Sequence, residues 1–167
     1  MTITALYTDG GVLDASSSTD GGAYAYCLVN EFNKRIVEVA KFVTPADLAA
    51  PAVTNNLTEL LALVRGIAAL PNDWTGTIAS DSWVSLQRIF LGAKLNNVPD
   101  WLVTDVLTTR VRLKRMRATY TLLDGHPTRA QLAVGKGKRG APVSEHNVWC
   151  DAACNRVMQE WRTRHPR

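Results

Sequence analysis

Apolar and small polar residues alternate from Met1 to Thr8, with Ile3, Ala5 and Tyr7 set against Thr2, Thr4 and Thr8. A period of two predicts a strand, and the pattern stops at Asp9-Gly10-Gly11, so the strand is expected to end on a carboxylate. Two glycines after the acid would let the backbone turn sharply and let a bulky partner approach it, although Asp-Gly is also a common hairpin turn. Val12 to Asp20, rich in Ser, Gly and Asp, reads as a loop. Gly21-Gly22 opens a strand through Tyr24, Tyr26 and Leu28, and Lys34 to Val43 forms another, with Asn30 to Asn33 as the turn. Thr44 to Val53 is a loop marked by Pro45 and Pro51. Thr54 to Leu70 then has helical spacing, with Leu60, Leu63, Val64 and Ile67 on its apolar stripe and Pro71 closing it. Thr75 to Ala79 is a short strand ending at Ser80-Asp81-Ser82, and Trp83 to Leu91 is a second helix. A third helix starts at Pro99 or Asp100, carrying Trp101, Leu102, Val106 and Leu107 inward and an arginine cluster outward. Ala118 to Leu123 is a fifth strand, Asp124 to Asn147 a long loop, and Val148 to Arg164 a final helix. Strands first, then alternating helices and strands, give an α/β fold: a five-stranded mixed sheet, three antiparallel then two parallel strands, with helices on both faces.

Composition narrows this further. With 167 residues, 46% apolar and 20% charged, the chain suits a single domain, 1–167, with a sizeable core and no internal repeat. No apolar run approaches the ~20 residues that span a bilayer, and the N-terminus lacks a secretory pattern, so a cytoplasmic protein is expected. Cys27, Cys150 and Cys154 are too few and too oddly numbered for a disulfide framework and read as thiols. The net charge of +4 is modest but uneven. Arg110, Arg112, Lys114, Arg115 and Arg117 crowd one segment, and Lys136, Lys138 and Arg139 another. Such clusters suit either a polyanionic partner or a solvated helix face and a flexible loop; no obligate protein partner is evident.

Four acids stand at comparable places. Asp9 ends the first strand, Asp81 the fourth, Glu59 lies early in the first helix and Asp151 in the first turn of the last. Each has a bland explanation: Asn56 and Glu59 fit a capping box, Asp81-Ser82 could cap the second helix, and Asp151 could answer a helix dipole. In a layered sheet, however, strand ends and neighbouring loops converge on one edge. Four carboxylates meeting there would repel by several kcal/mol unless protonated or bridged by a cation, and magnesium or manganese is the natural bridge between oxygen ligands. A second metal reading is local: His146, Cys150 and Cys154 recur every four residues and could line one helix face as zinc ligands, or be small buried groups with a histidine near the cap.

The ordered motifs resemble type 1 ribonuclease H. Tyr7-Thr8-Asp9-Gly10-Gly11 is similar to its first-strand motif, Gly21-Gly22-Ala23-Tyr24 to its second, and Thr54-Asn55-Asn56-Leu57-Thr58-Glu59-Leu60-Leu61 to its helix motif. Ser80-Asp81-Ser82, Gly125-His126-Pro127 and Asn147-Val148-Trp149-Cys150-Asp151-Ala152 resemble the remaining ones. The resemblance implies a ribonuclease H-like fold and a metal-dependent endonuclease that cuts the RNA strand of an RNA/DNA hybrid with two Mg2+ or Mn2+ ions. On it, Asp9 would bridge both metals, Glu59 and Asp81 would complete the leaving-group site, and Asp151 would hold the metal that activates water. His126 would assist water activation or product release, and Asn55 and Asn56 would read the minor groove. Gly10, Gly11, Thr54, Ser82 and Asn147 would also contact the hybrid.

Three departures accompany the resemblance. Trp83 stands where the family has a polar residue, which implies stacking or packing in place of a minor-groove contact. There is little room before Trp101 for a basic protrusion, which moves duplex binding onto Arg110, Arg112 and Lys114. The loop from His126 to Asp151 is long and carries Lys136, Lys138 and Arg139, leaving His126 and His146 both open as the assisting histidine. Two alternatives to the nuclease are a non-catalytic hybrid-binding module and a DNA-cutting resolvase or transposase relative. The four acids weigh against the first, and Asn55-Asn56 against the second.

Overall fold

The computed structural model describes residues 1–167. The chain runs through β1 (Ile3–Val12), β2 (Ser17–Ser18), β3 (Gly22–Asn30), β4 (Arg35–Val43), α1 (Pro45–Leu48), β5 (Val53–Thr54) and α2 (Asn55–Ala68). It continues with β6 (Thr77–Ser80), α3 (Trp83–Phe90), α4 (Asp100–Arg115), β7 (Thr119–Leu122), α5 (Arg129–Val134) and α6 (Glu145–Arg164). The five-stranded sheet has the order β4-β3-β1-β6-β7. β1, β3 and β4 are antiparallel and β6 and β7 join as parallel strands, as the order of elements requires. A separate ribbon of β2 and β5 ties the 13–21 segment to the entry of α2.

Period-two side chains divide the core. On one face Leu6 and Leu28 meet Leu60, Leu63, Val64 and Ile67 of α2, with Leu86 of α3 and Leu102 and Val106 of α4 behind them. On the other, Ala23, Ala25 and Cys27 of β3 are small enough to let α6 settle onto the sheet through Cys150, Ala153 and Cys154. Fully burying each large aliphatic stabilises by about 1.5–3 kcal/mol, so α2 is the element that anchors the first layer.

The first strand does not end at Asp9. It stays extended through Gly10 and Gly11 to Val12, because the antiparallel partner β3 continues alongside, pairing Asp9 with Ala25 and Val12 with Gly22. Gly10 is required for close approach rather than for a turn: a Cβ there would lie 2.5 Å from the backbone nitrogen of Glu59 and from Oγ1 of Thr58. Gly10→Ala should therefore push α2 off the strand and cost about 2–3 kcal/mol, read as a lower denaturation midpoint with an unchanged slope.

Four further expectations change. The loop over 44–53 holds α1, closed by a reciprocal capping box between Thr44 and Asp47. The last helix starts at Glu145, capped by Ser144, so Asp151 sits in its second turn rather than its first. The arginine cluster is not uniformly outward. Arg112 donates to the carbonyls of Ile67, at 2.6 Å, and Leu70, and so closes the C-terminal end of α2. Arg110 donates to the carbonyls of Arg88 and Ala93, both at 2.8 Å, at the end of α3. Leu107, expected inward, is 49% exposed.

Candidate active site

Parallel pairing sets the first two acids side by side. The register Tyr7↔Ala79, continued by two residues, brings Asp9 level with Asp81, just past the end of β6. Glu59 comes from α2. Thr54, not Asn56, caps that helix by accepting from the Leu57 N–H, so the Glu59 carboxylate is not spent on a capping box. With α2 drawn in at Gly10, single ligand atoms of Asp9, Glu59 and Asp81 all lie within 4.8 Å of one another.

These carboxyls resist ionisation. Burial, and then the charge of Asp81, push Asp9 well above the usual carboxylate range, although its Oδ1 accepts the Gly10 N–H at 2.8 Å. Burial likewise raises Glu59, to about 7, against an opposing hydrogen bond from Ser82. Asp81 is raised by burial, with a hydrogen bond from Asn147 and the nearby His126 acting the other way. Ser82 also caps α3, through the Ser85 N–H at 3.3 Å.

Asp151 is outside the three-acid cluster but shares its cavity, about 250 Å³ and lined by Asp9, Asp81, Asp151, Asn147, His126 and Pro127, among others. His126, held at a positive φ of 50°, reaches it from the β7 side, with Nδ1 3.8 Å from Oδ2 of Asp151. Gly125 is necessary here as well, because a Cβ would stand 2.6 Å from Oδ2 of Asp81. Asn147 is 3% exposed, and its Oδ1 has no partner.

The segment 124–147 is fastened, not loose. Buried Asp124 accepts through Oδ2 from the backbone N–H groups of Arg139, at 2.9 Å, and Ala141, at 3.1 Å, and through Oδ1 from Arg139 Nε at 3.2 Å. Its own N–H donates to Pro142, and a Cβ at Gly137 would collide with it. α5 is set by a capping box between Thr128 and Gln131. Lys136, Lys138 and Arg139 therefore ride on an anchored hairpin whose base adjoins His126. Sequence reasoning passed over Asp124, though its position, directly after a strand and before Gly125, parallels that of Asp81.

The remaining expected residues separate. Asn55 and Asn56 lie in the first turn of α2, Asn56 exposed and Asn55 near the Ala15 carbonyl at 3.5 Å. His146 is elsewhere and buried: Arg35 donates to its Nδ1 at 3.0 Å, and its Nε2 is 2.7 Å from Asn33 Oδ1, so the ring is neutral and protonated at Nε2. Burial lowers its pKa, consistent with that state. Of the two histidines, only His126 lines the cavity. Both ring nitrogens of His146 are thus engaged, while the Cys150 and Cys154 thiols face the Tyr7 and Asp9 carbonyls and are pushed up by burial. Together these exclude the zinc arrangement in this state, because zinc needs a free imidazole nitrogen and thiolates.

An oxygen-seeking divalent cation fits the acids instead. Crowded carboxylates with raised pKa values form an all-oxygen donor set of the kind magnesium or manganese takes.

No family model and no curated protein matches the sequence. Solved structures do match the fold. Ribonuclease H1 from the halophilic archaeon Halobacterium salinarum aligns at a TM-score of 0.62 and 18% identity, over 93% of this chain and 97% of that one. A ribonuclease H1 isolated from compost by a metagenomic approach gives 0.65 and 16%, over 96% and 98%. The N-terminal ribonuclease H domain of a Mycobacterium tuberculosis protein gives 0.56 and 14%, over 93% and 99%. At these identities the likeness establishes a ribonuclease H-like fold.

Proposed function

We propose that the protein is a divalent-metal-dependent endonuclease that hydrolyses the RNA strand of RNA/DNA hybrids. The observation that carries this reading is the meeting of Asp9, Glu59 and Asp81 within 4.8 Å on a ribonuclease H-like fold. Asp9, Glu59 and Asp81 would hold one ion, and Asp9 with Asp151 a second, both Mg2+ or Mn2+. When bound, the ions supply Lewis acidity and charge neutralisation for in-line attack on a phosphodiester.

The chain's own groups do the rest. The Asn147 amide orients Asp81 by hydrogen bonding at the wall of the cavity. His126, 84% exposed and next to Asp151, can take or give a proton at Nδ1 as substrate enters and product leaves. Asn55 and Asn56 at the start of α2, just past the Thr54 cap, are suited to reading base edges and 2′-hydroxyls in a minor groove, a surface to which Gly10, Gly11 and Ser82 would also belong. Lys136, Lys138 and Arg139 on the hairpin and Lys114 on α4 suit phosphates. A purely binding module would gain nothing from buried acids whose ionisation opposes burial beside a phosphate backbone.

Incubating end-labelled RNA/DNA, RNA/RNA and DNA/DNA duplexes with the protein and Mg2+ or Mn2+ tests the reading. Cuts in the RNA strand of the hybrid alone, stopped by chelator, are expected. An intact hybrid with either metal would overturn it, and cutting of DNA/DNA would select the resolvase-like alternative.

A further inference from the structure

Trp83 and Tyr120 are exposed large aromatics, at 42% and 37%, that lie against one another. Their ring centres are 6.4 Å apart, and Tyr120 rests in turn on Phe90 at 4.7 Å. Trp83 opens α3 two residues beyond Asp81, and Tyr120 lies on the edge strand β7 opposite Ile78. The aromatic row therefore begins beside the acidic cluster and follows the free edge of the sheet. It leads to a cleft of about 360 Å³ between the ends of α3 and α4, walled by Phe90, Leu113, Ala118 and Lys114. Local structure does not demand these rings. Ser82 already caps α3, and its first exposed position would accept a polar residue.

The surrounding charge is one-sided. From Ser82 to Pro99 the chain has two cations, from Val106 to Leu123 it has five, and neither stretch contains an Asp or Glu. Arg110 and Arg112 are committed to helix ends, which leaves Lys114, Arg115 and Arg117 exposed. Such a field attracts phosphate. Aromatic faces add affinity for bases only where the bases are unpaired, since those of a duplex are already stacked on one another.

We infer that this aromatic row and its basic rim bind a single-stranded nucleic-acid segment. The segment would lead away from the duplex seated at the acidic site. Only that continuity rests on the function proposed above; the single-strand contact stands on the patch itself.

Fluorescence anisotropy in chelator, where hydrolysis plays no part, measures binding of labelled oligothymidylate and oligouridylate about sixteen nucleotides long. An abasic strand of equal length serves as comparison. Trp83→Ala and Tyr120→Ala should each weaken binding of the base-bearing strands about tenfold, Trp83→Phe should retain it, and the abasic strand should bind weakly to all of them. Removing Lys114 and Arg117 together should flatten the salt dependence by roughly 0.7 for each phosphate no longer neutralised. The two oligonucleotides distinguish a DNA from an RNA tail. Equal affinity of the parent and Trp83→Ala, or equal affinity for base-bearing and abasic strands, would overturn the inference. So would a protein dimer that disappears in Trp83→Ala with no strand binding, which would mark a protein interface. Strand binding as expected, without hybrid cleavage, would overturn the catalytic reading and leave the track standing.

Discussion

Asp9→Asn is expected to lower hybrid cleavage by roughly a thousandfold or more while raising the thermal stability of the chelated protein at neutral pH. The two effects share one cause. Asp9 is 7% exposed, and burial together with the charges of Asp81, Asp151 and Glu59 disfavours its ionised form. Its folded-state pKa is raised, so between the unfolded and folded values the native state binds the extra proton. Stability is then present at low pH and is lost as pH rises through that window, the reverse of a salt-bridged carboxylate. Glu59 behaves likewise, rising from 4.5 to about 7. That difference alone corresponds to a loss on the order of 3 kcal/mol across the interval. The parent in chelator should therefore melt lower at pH 7.5 than at pH 5. Asparagine can still accept the Gly10 N–H but carries no charge, so the variant should show a smaller fall. Magnesium at pH 7.5 should raise the melting temperature of the parent more than that of the variant. Circular dichroism melts and a single-turnover assay read both halves. Cleavage within tenfold of the parent would remove Asp9 from the reaction.

The acids were legible in the sequence because each adjoins a change of hydrophobic period: Asp9 and Asp81 follow strand patterns, and Glu59 opens a helical one. What local patterns could not show was how the chain continues around them. Asp9-Gly10-Gly11 has turn composition, yet β3 holds it extended by pairing through residues 23 to 25. Asn56 and Glu59 have capping-box spacing, yet the helix is capped two residues earlier, by Thr54, which releases Glu59 to the cluster. The arginines of α4 have the spacing of a solvated face, but the carbonyls that capture Arg110 and Arg112 belong to helix ends 17 to 45 residues away. The two histidines are separable only by partners distant in sequence: His146 is claimed by Asn33 and Arg35, across 113 and 111 residues. In each case the deciding contact is tertiary, beyond the reach of propensity and period.

Asp124→Ala is expected to lower turnover on the hybrid about ten- to a hundredfold without unfolding the sheet. The side chain is buried, and its Oδ2 is the acceptor for two backbone N–H groups of the 136–142 hairpin. Truncation leaves those donors unpaired at about 1–3 kcal/mol each, enough to open the hairpin but not the layered core. Opening would displace the stretch that carries Lys136, Lys138 and Arg139 and loosen Gly125 and His126, which are the next residues along the chain. The effect should thus reach both KM, through the phosphate contacts, and kcat, through the histidine beside Asp151. Asp124→Asn separates anchoring from charge. Its amide oxygen can still accept from Arg139 N and Ala141 N while the ion pair to the exposed Arg139 side chain is removed, and an exposed partner contributes little. The asparagine variant should therefore keep activity within a few-fold of the parent, and Arg139→Ala should retain the fold of the hairpin. Hydrogen exchange at Arg139 and Ala141 reports the anchoring directly: fast in Asp124→Ala, protected in Asp124→Asn. Protected amides and unchanged kinetics in the alanine variant would show that the hairpin closes without Asp124. His126 would then owe its position to Gly125 and Pro127 alone.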